Sequence, residues 1–232
     1  PRSSNLRSMD GAFVNKLILP GKGRKYSGTR SRGLVWLKNS KDHAFPNHFL
    51  KRNTKTVILY SHGNGGTLGD FKAIVNFYSE WFSTSVFAIE YPGYGPAEGE
   101  SSEESVNDNL ETAYRFLSGT LNYPAENIIL IGYSIGTGPT INLAVDLCEK
   151  GTPPGAVVTI AAFKSLRAIV GDWKGTMFAN LLAGFLTNRW NSIERVKKLT
   201  CPSFFVHGAL DEVIPSTHSE ELYKACASDQ KR

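Results

Sequence analysis

Five short apolar runs recur along the chain: "KTVILYSHG", "SVFAIEYPG", "NIILIG", "GAVVTIAAF" and "PSFFVHG". Runs of this kind, apolar without polar alternation, predict strands buried on both faces, the condition of a parallel sheet. Helix-length stretches lie between them. "GDFKAIVNFYSEWFS" sets Phe71, Ile74, Val75, Tyr78, Trp81 and Phe82 at helical spacing, with Asp70 placed to cap it. "SSEESVNDNLETAYRFLSG" opens with Ser101 and Glu104 in capping-box spacing. "SIGTGPTINLAVDLCEKG" stops at Gly151, and "SEELYKACA" is the last helical stretch. Strands alternating with helices predict the α/β class, a mostly parallel central sheet with helices on both faces. At 232 residues the chain suits one such domain better than two.

The pattern is irregular up to about Asn53, where "FVNKLIL" and "GLVWLK" flank a Gly/Lys/Arg loop. Residues 1–53 therefore read as a basic N-terminal segment with edge strands of the same domain, and 54–232 as its core. The alternation lapses again over about 164–199, a short cap-like insertion. Within it, "WKGTMFANLLAGFLTNRW" is apolar nearly all round, as expected of a segment that is buried or roofs an apolar pocket. Phe178 and Leu182 are its candidate substrate-binding residues.

Charge is distributed unevenly. Residues 1–60 hold 13 Lys/Arg against 2 Asp/Glu, a net of +11, while the rest hold 13 against 19, a net of −6. A basic N-terminal quarter is suited to peripheral contact with an anionic membrane. No aromatic-interleaved basic motif points to nucleic acid. No stretch approaches the roughly 20 apolar residues of a membrane span. Cys148, Cys201 and Cys226 are widely spaced and odd in number, which argues for a reducing compartment, the cytosol, and against a disulfide framework or a metal site.

Three polar signatures fall at the ends of apolar runs, where ligands collect in open parallel sheets. The first is "GYSIG", Gly132 to Gly136, between a strand and a helix. A turn this tight admits only small neighbours and leaves Ser134 projecting at the helix N-terminus, as a nucleophile requires. The second, "SHGNGG" after "VILY", is a glycine-rich loop whose backbone N–H groups can meet a developing oxyanion. Asn64 in this loop and Ile135, which follows the nucleophile, are the expected donors, with His62 bracing the loop. The third, "FFVHGALDEVIP", carries Asp211 at the end of a late strand, placed to orient a histidine.

These residues resemble the α/β-hydrolase-domain serine hydrolases, and among them the branch that includes protein depalmitoylases (acyl-protein thioesterases). The resemblance runs from about Thr56 to Cys226 and rests on "SHGNGG", "EYPGYGPAEGESSEESVNDN", "GYSIGTGPT", "IERVKKLTCP" and "HGALDEVIP…HSEELYKAC". It implies the α/β-hydrolase fold, no cofactor, and cleavage of fatty-acyl esters or thioesters. It assigns Ser134 as nucleophile, Asp211 as acid, and Asn64 and Ile135 as the oxyanion hole. The family's histidine follows one more strand, beyond Arg232, so the terminal strand and helix of the fold are expected to be missing here. Within the chain, His218 is a secondary candidate for the base. The activity expected is ester or thioester cleavage through an acyl-enzyme on Ser134. Two alternatives stay open: an inactive binding module on the same fold, and a serine peptidase.

Overall fold

A computed structural model describes residues 19–21, 33–172 and 189–232. Among them, seven strands form one sheet: β1 (Leu34–Lys38), β2 (Ala44–Leu50), β3 (Val57–Ser61), β4 (Ser85–Ile89), β5 (Ile128–Tyr133), β6 (Ala156–Ile160) and β7 (Ser203–Val206). Their order across the sheet is β1-β2-β4-β3-β5-β6-β7. The pairs β1–β2 and β2–β4 are antiparallel, and every pair from β4 to β7 is parallel. The parallel core is the one predicted from the apolar runs. β2 is an addition: "AFPNHFL" contains Pro46, Asn47 and His48 and does not advertise a strand.

The helices are α1 (Lys72–Trp81), α2 (Glu103–Arg115), α3 (Thr137–Glu149), α4 (Leu166–Asp172), α5 (Ser192–Arg195) and α6 (Thr217–Ala225). Alternate strand residues feed two cores. Val57, Leu59, Phe87, Ile89, Ile128, Leu130 and Val157 pack with the apolar sides of α2, α3 and α6. Ile58, Tyr60, Val86, Ala88 and Ile131 meet Val75 and Tyr78 of α1. Burial on both faces is why these strands lack polar alternation.

Three local expectations are corrected. α1 begins after Phe71 without a side-chain cap. Asp70 instead closes its own turn, its Oδ2 accepting from Thr67 N at 2.8 Å and Thr67 Oγ1 at 3.0 Å. Trp81 and Phe82, at core spacing in the sequence, are 73% and 57% exposed. Trp81 stacks on Phe77 at 5.5 Å, on the outer side of the helix. α2 is capped by Ser102 and Ser105 in a reciprocal box, because the Ser101 hydroxyl is committed to the Pro92 carbonyl.

β3 is the pivot of the sheet. The chain leaves it for β4 on one side, then crosses through α2 to β5 on the other. The carboxyl ends of β3 and β5 therefore flank a point where strand order reverses, the place where such sheets open a crevice. At the far edge, the chain's last residues lie along β7, with Ser203 N and Phe205 N donating to Gln230 O and Arg232 O at 2.9 and 2.8 Å. Lys231 pairs in parallel with Ser203, so the chain runs there toward the same carboxyl end.

Candidate active site

Ser134 follows β5 directly and holds φ +52, in the left-handed region. A serine spends strain there, about 1–2 kcal/mol, only where its surroundings impose it. The surroundings are the flanking glycines. A Cβ on Gly132 would lie 2.6 Å from Gly136 O, and one on Gly136 would lie 2.3 Å from Ser61 O and 2.7 Å from His62 O. The turn is thus pressed against the end of β3 with no room for side chains. Thr137 Oγ1 donates to Ser134 O at 2.7 Å and fixes the first helical turn behind the serine, whose own side chain stays part-exposed. The Ile135 N–H is among the first of that helix, where N–H groups lack intrahelical partners.

The loop after β3 lies against this turn: a Cβ on Gly63 would sit 3.6 Å from Ser134 Cβ. His62, fully buried, governs the loop. Its Nδ1–H donates to Gly63 O at 2.8 Å, and its Nε2 meets Glu90 Oε1 at 3.0 Å. The imidazole lies between the rings of Phe71, at 4.9 Å, and Tyr91, at 4.1 Å. Glu90 is fully buried too, and its Oε2 accepts from Leu68 N at 3.0 Å. Gly63 C=O and Asn64 N–H belong to one trans peptide, so they point in opposite directions. By holding the carbonyl, His62 aims the Asn64 N–H away from the core.

Asp211 lies beyond β7. Its Oδ1 accepts from Val213 N and Ile214 N, both at 2.9 Å, and its Oδ2 lies 3.6 Å from His207 Nε2. One strand separates β5 from β7, which puts their ends about 10 Å apart at the usual strand spacing. An imidazole spans such a gap. His207 is not available for this, since its Nε2–H donates to Ile214 O at 2.8 Å and its Nδ1 pairs with Ser219 Oγ at 2.6 Å. His218 is fully buried at the start of α6. Its Nδ1 accepts from Lys164 N at 3.1 Å, which puts the proton on Nε2, 2.5 Å from Asp172 Oδ2. The structure thus brings Ser134 and the 61–66 loop together and engages His218 elsewhere than with Asp211. Phe178 and Leu182 lie outside the described residues.

Sequence reasoning missed Glu90, Tyr94 and Trp190. Trp190 is buried, with Nε1 donating to Asn107 Oδ1 at 3.1 Å and N donating to Glu103 Oε1 at 2.9 Å. Its ring fills the space a Cβ on Gly138 would need, 2.5 Å away, and so locks α3. The glycine of "GTGP" was the available signal.

The family described as Chlamydia CHLPS protein (DUF818) matches residues 44–225. The chain belongs to that family. This DUF818 chain is 30% identical over 173 residues to alpha/beta hydrolase domain-containing protein 17C of Xenopus tropicalis, covering 75% of the chain and 52% of that protein. It is 29% identical over 174 residues to alpha/beta hydrolase domain-containing protein aho-3 of Caenorhabditis elegans, covering 75% of the chain and 49% of that protein. The DUF818 chain spans about half the length of these curated relatives. Among solved structures, an alpha-beta hydrolase from Vibrio vulnificus superposes with TM-score 0.77 at 17% identity, over 95% of this chain and 85% of that one. The Pyrococcus furiosus esterase Pf2001 gives TM-score 0.69 at 11% identity, over 90% and 87%. These likenesses establish the α/β-hydrolase fold. Among the described residues no helix is long and apolar enough to cross a membrane.

Proposed function

We propose that this protein is a serine hydrolase that cleaves carboxylic esters or thioesters, of fatty acyl groups, through an acyl-enzyme on Ser134. The observation that carries the reading is the strained Ser134, held at φ +52 beside the His62-aimed peptide of Asn64. Strained residues cluster at active sites. The Ser134 hydroxyl attacks the carbonyl carbon, and a base takes its proton. The Asn64 and Ile135 N–H groups receive the oxyanion. As the tetrahedral adduct collapses, the base hands its proton to the departing alcohol or thiol; it then activates a water that cleaves the acyl-enzyme, releasing the acid and restoring the Ser134 hydroxyl. Asp211 orients the base, a histidine. The names of relatives, alpha/beta hydrolase domain-containing proteins, agree with this class of chemistry.

The test is intact mass after exposure to a fluorophosphonate probe, with Ser134→Ala alongside, in the full-length protein. One adduct, lost in the variant, is the expected result. Absence of any adduct overturns the hydrolase reading in favour of a binding module. A panel of p-nitrophenyl esters from acetate to palmitate, run on Phe178→Ala and Leu182→Ala, then tests the acyl preference. Long chains should lose more than short ones, and equal losses refute the preference. Docking of the basic N-terminal quarter to anionic vesicles should weaken from low to high salt, and salt-independent binding refutes it.

A further inference from the structure

The Asn64 peptide is aimed at one end by His62, but its side chain is also held. Asn64 Oδ1 accepts from Gly65 N at 2.9 Å and from Tyr94 Oη at 2.7 Å. Two donors converge on this atom, which fixes it as the amide oxygen and fixes the amide's orientation. Tyr94 is itself buried, 2% exposed, in the loop after β4. Its ring packs edge-on to Tyr91, at 5.7 Å, and to the His62 imidazole, at 6.1 Å. Burial raises the phenol's pKa, so the hydroxyl keeps its proton and stays a donor across the range where an esterase works.

The loop that carries Tyr94 packs against Gly21. Gly21 lies far from this site in sequence but close in space. It holds φ +48, and a Cβ there would come within 2.9 Å of Gly93 O. Leu19, two residues earlier, is buried in the main core and anchors this stretch. Residues 19–21 thus back the loop from which the Tyr94 hydroxyl reaches Asn64 Oδ1.

We propose that Tyr94 is a positioning residue of the oxyanion loop: its hydroxyl holds the Asn64 side chain so that the Asn64 backbone N–H faces the Ser134 adduct. The inference rests on the serine-hydrolase reading above. A group acting through the loop touches no substrate. Its loss should therefore appear in kcat and leave KM alone.

The experiment is steady-state hydrolysis of p-nitrophenyl butyrate by the full-length protein and by Tyr94→Phe, Asn64→Ala and the double variant, with thermal melts of each. Asn64→Ala keeps the backbone N–H and removes only the held side chain. Tyr94→Phe is expected to lower kcat about tenfold, the size of one hydrogen bond, with KM within about twofold. Asn64→Ala should lose a similar factor, and the double variant no more than either single. An unchanged kcat in Tyr94→Phe, a loss confined to KM, or multiplying losses in the double variant overturns the proposal while wild-type turnover leaves Ser134 standing. If Tyr94→Phe melts far below wild type, Asn64→Ala alone decides by the same kcat-against-KM split. A wild-type protein that neither hydrolyses the ester nor labels at Ser134 removes the hydrolase reading, and this inference with it.

Discussion

Replacing Ser134 by glycine and by alanine separates strain from chemistry. Both variants lose the hydroxyl, so activity cannot confound the comparison, and both keep the carbonyl that Thr137 holds. Alanine must still adopt φ +52, which costs an L-residue about 1–2 kcal/mol. Glycine adopts it freely but has more freedom to lose from the unfolded chain, which returns about 0.4–1 kcal/mol of the gain. The difference leaves the glycine variant about 0.5–1 kcal/mol more stable than the alanine variant. For a 232-residue chain, 1 kcal/mol moves Tm by about 2–4 °C. The pair should thus melt about 1–4 °C apart by scanning calorimetry, glycine higher. Urea titrations should show the same order in midpoint at a common slope. A glycine variant that melts with or below the alanine variant refutes the claim that the fold holds this residue under backbone strain.

Other consequences can be measured independently. Gly136→Ala has no backbone penalty, since φ there is −64, but its methyl collides with Ser61 O. It should lose about 1–3 kcal/mol in urea and nearly all labelling of Ser134, because the elbow must move. Glu90→Leu strands the buried His62 imidazole and should cost about 3–5 kcal/mol, against a much smaller loss for Glu90→Gln; equal losses would deny the pair its role. His48 is buried on β2, and its pKa is lowered first by burial and then by Lys72. The folded state therefore resists protonating it, and its stabilising effect is lost as pH falls below the unfolded value near 6.5. Between pH 6.5 and 5, stability should fall with a slope of at most about 1.4 kcal/mol per pH unit from this group, and His48→Leu should flatten that part of the curve.

The parallel core was legible because burial on both faces writes itself as unbroken apolar runs, and the tight turn at Ser134 because its two glycines lie two residues to either side. Contacts made across the fold left no such mark. Tyr94 meets Asn64 across 30 residues, and His62 meets Glu90 across 28. Nothing local in "EYPGYG" says which tyrosine will reach the loop after β3. β2 escaped because Pro46 and two polar residues interrupt its pattern, and pairing on both edges supplies what propensity does not. The capping box slid by one serine for a tertiary reason, since Ser101 is drawn to the Pro92 carbonyl. Spacing alone cannot weigh such a competitor.

The two stems of the insertion after β6 are stitched to each other. Leu166 N donates to Arg189 O at 3.1 Å and Ile193 N to Lys164 O at 3.0 Å, while Trp190 pins the returning stem to α2 and α3. Both stems are held by hydrogen bonds that belong to the scaffold. Doubling the length of such a closed stretch changes its closure cost by only about 0.6 kcal/mol. Changes of length between the two stems should therefore cost little stability and leave the Ser134 turn behind them in place.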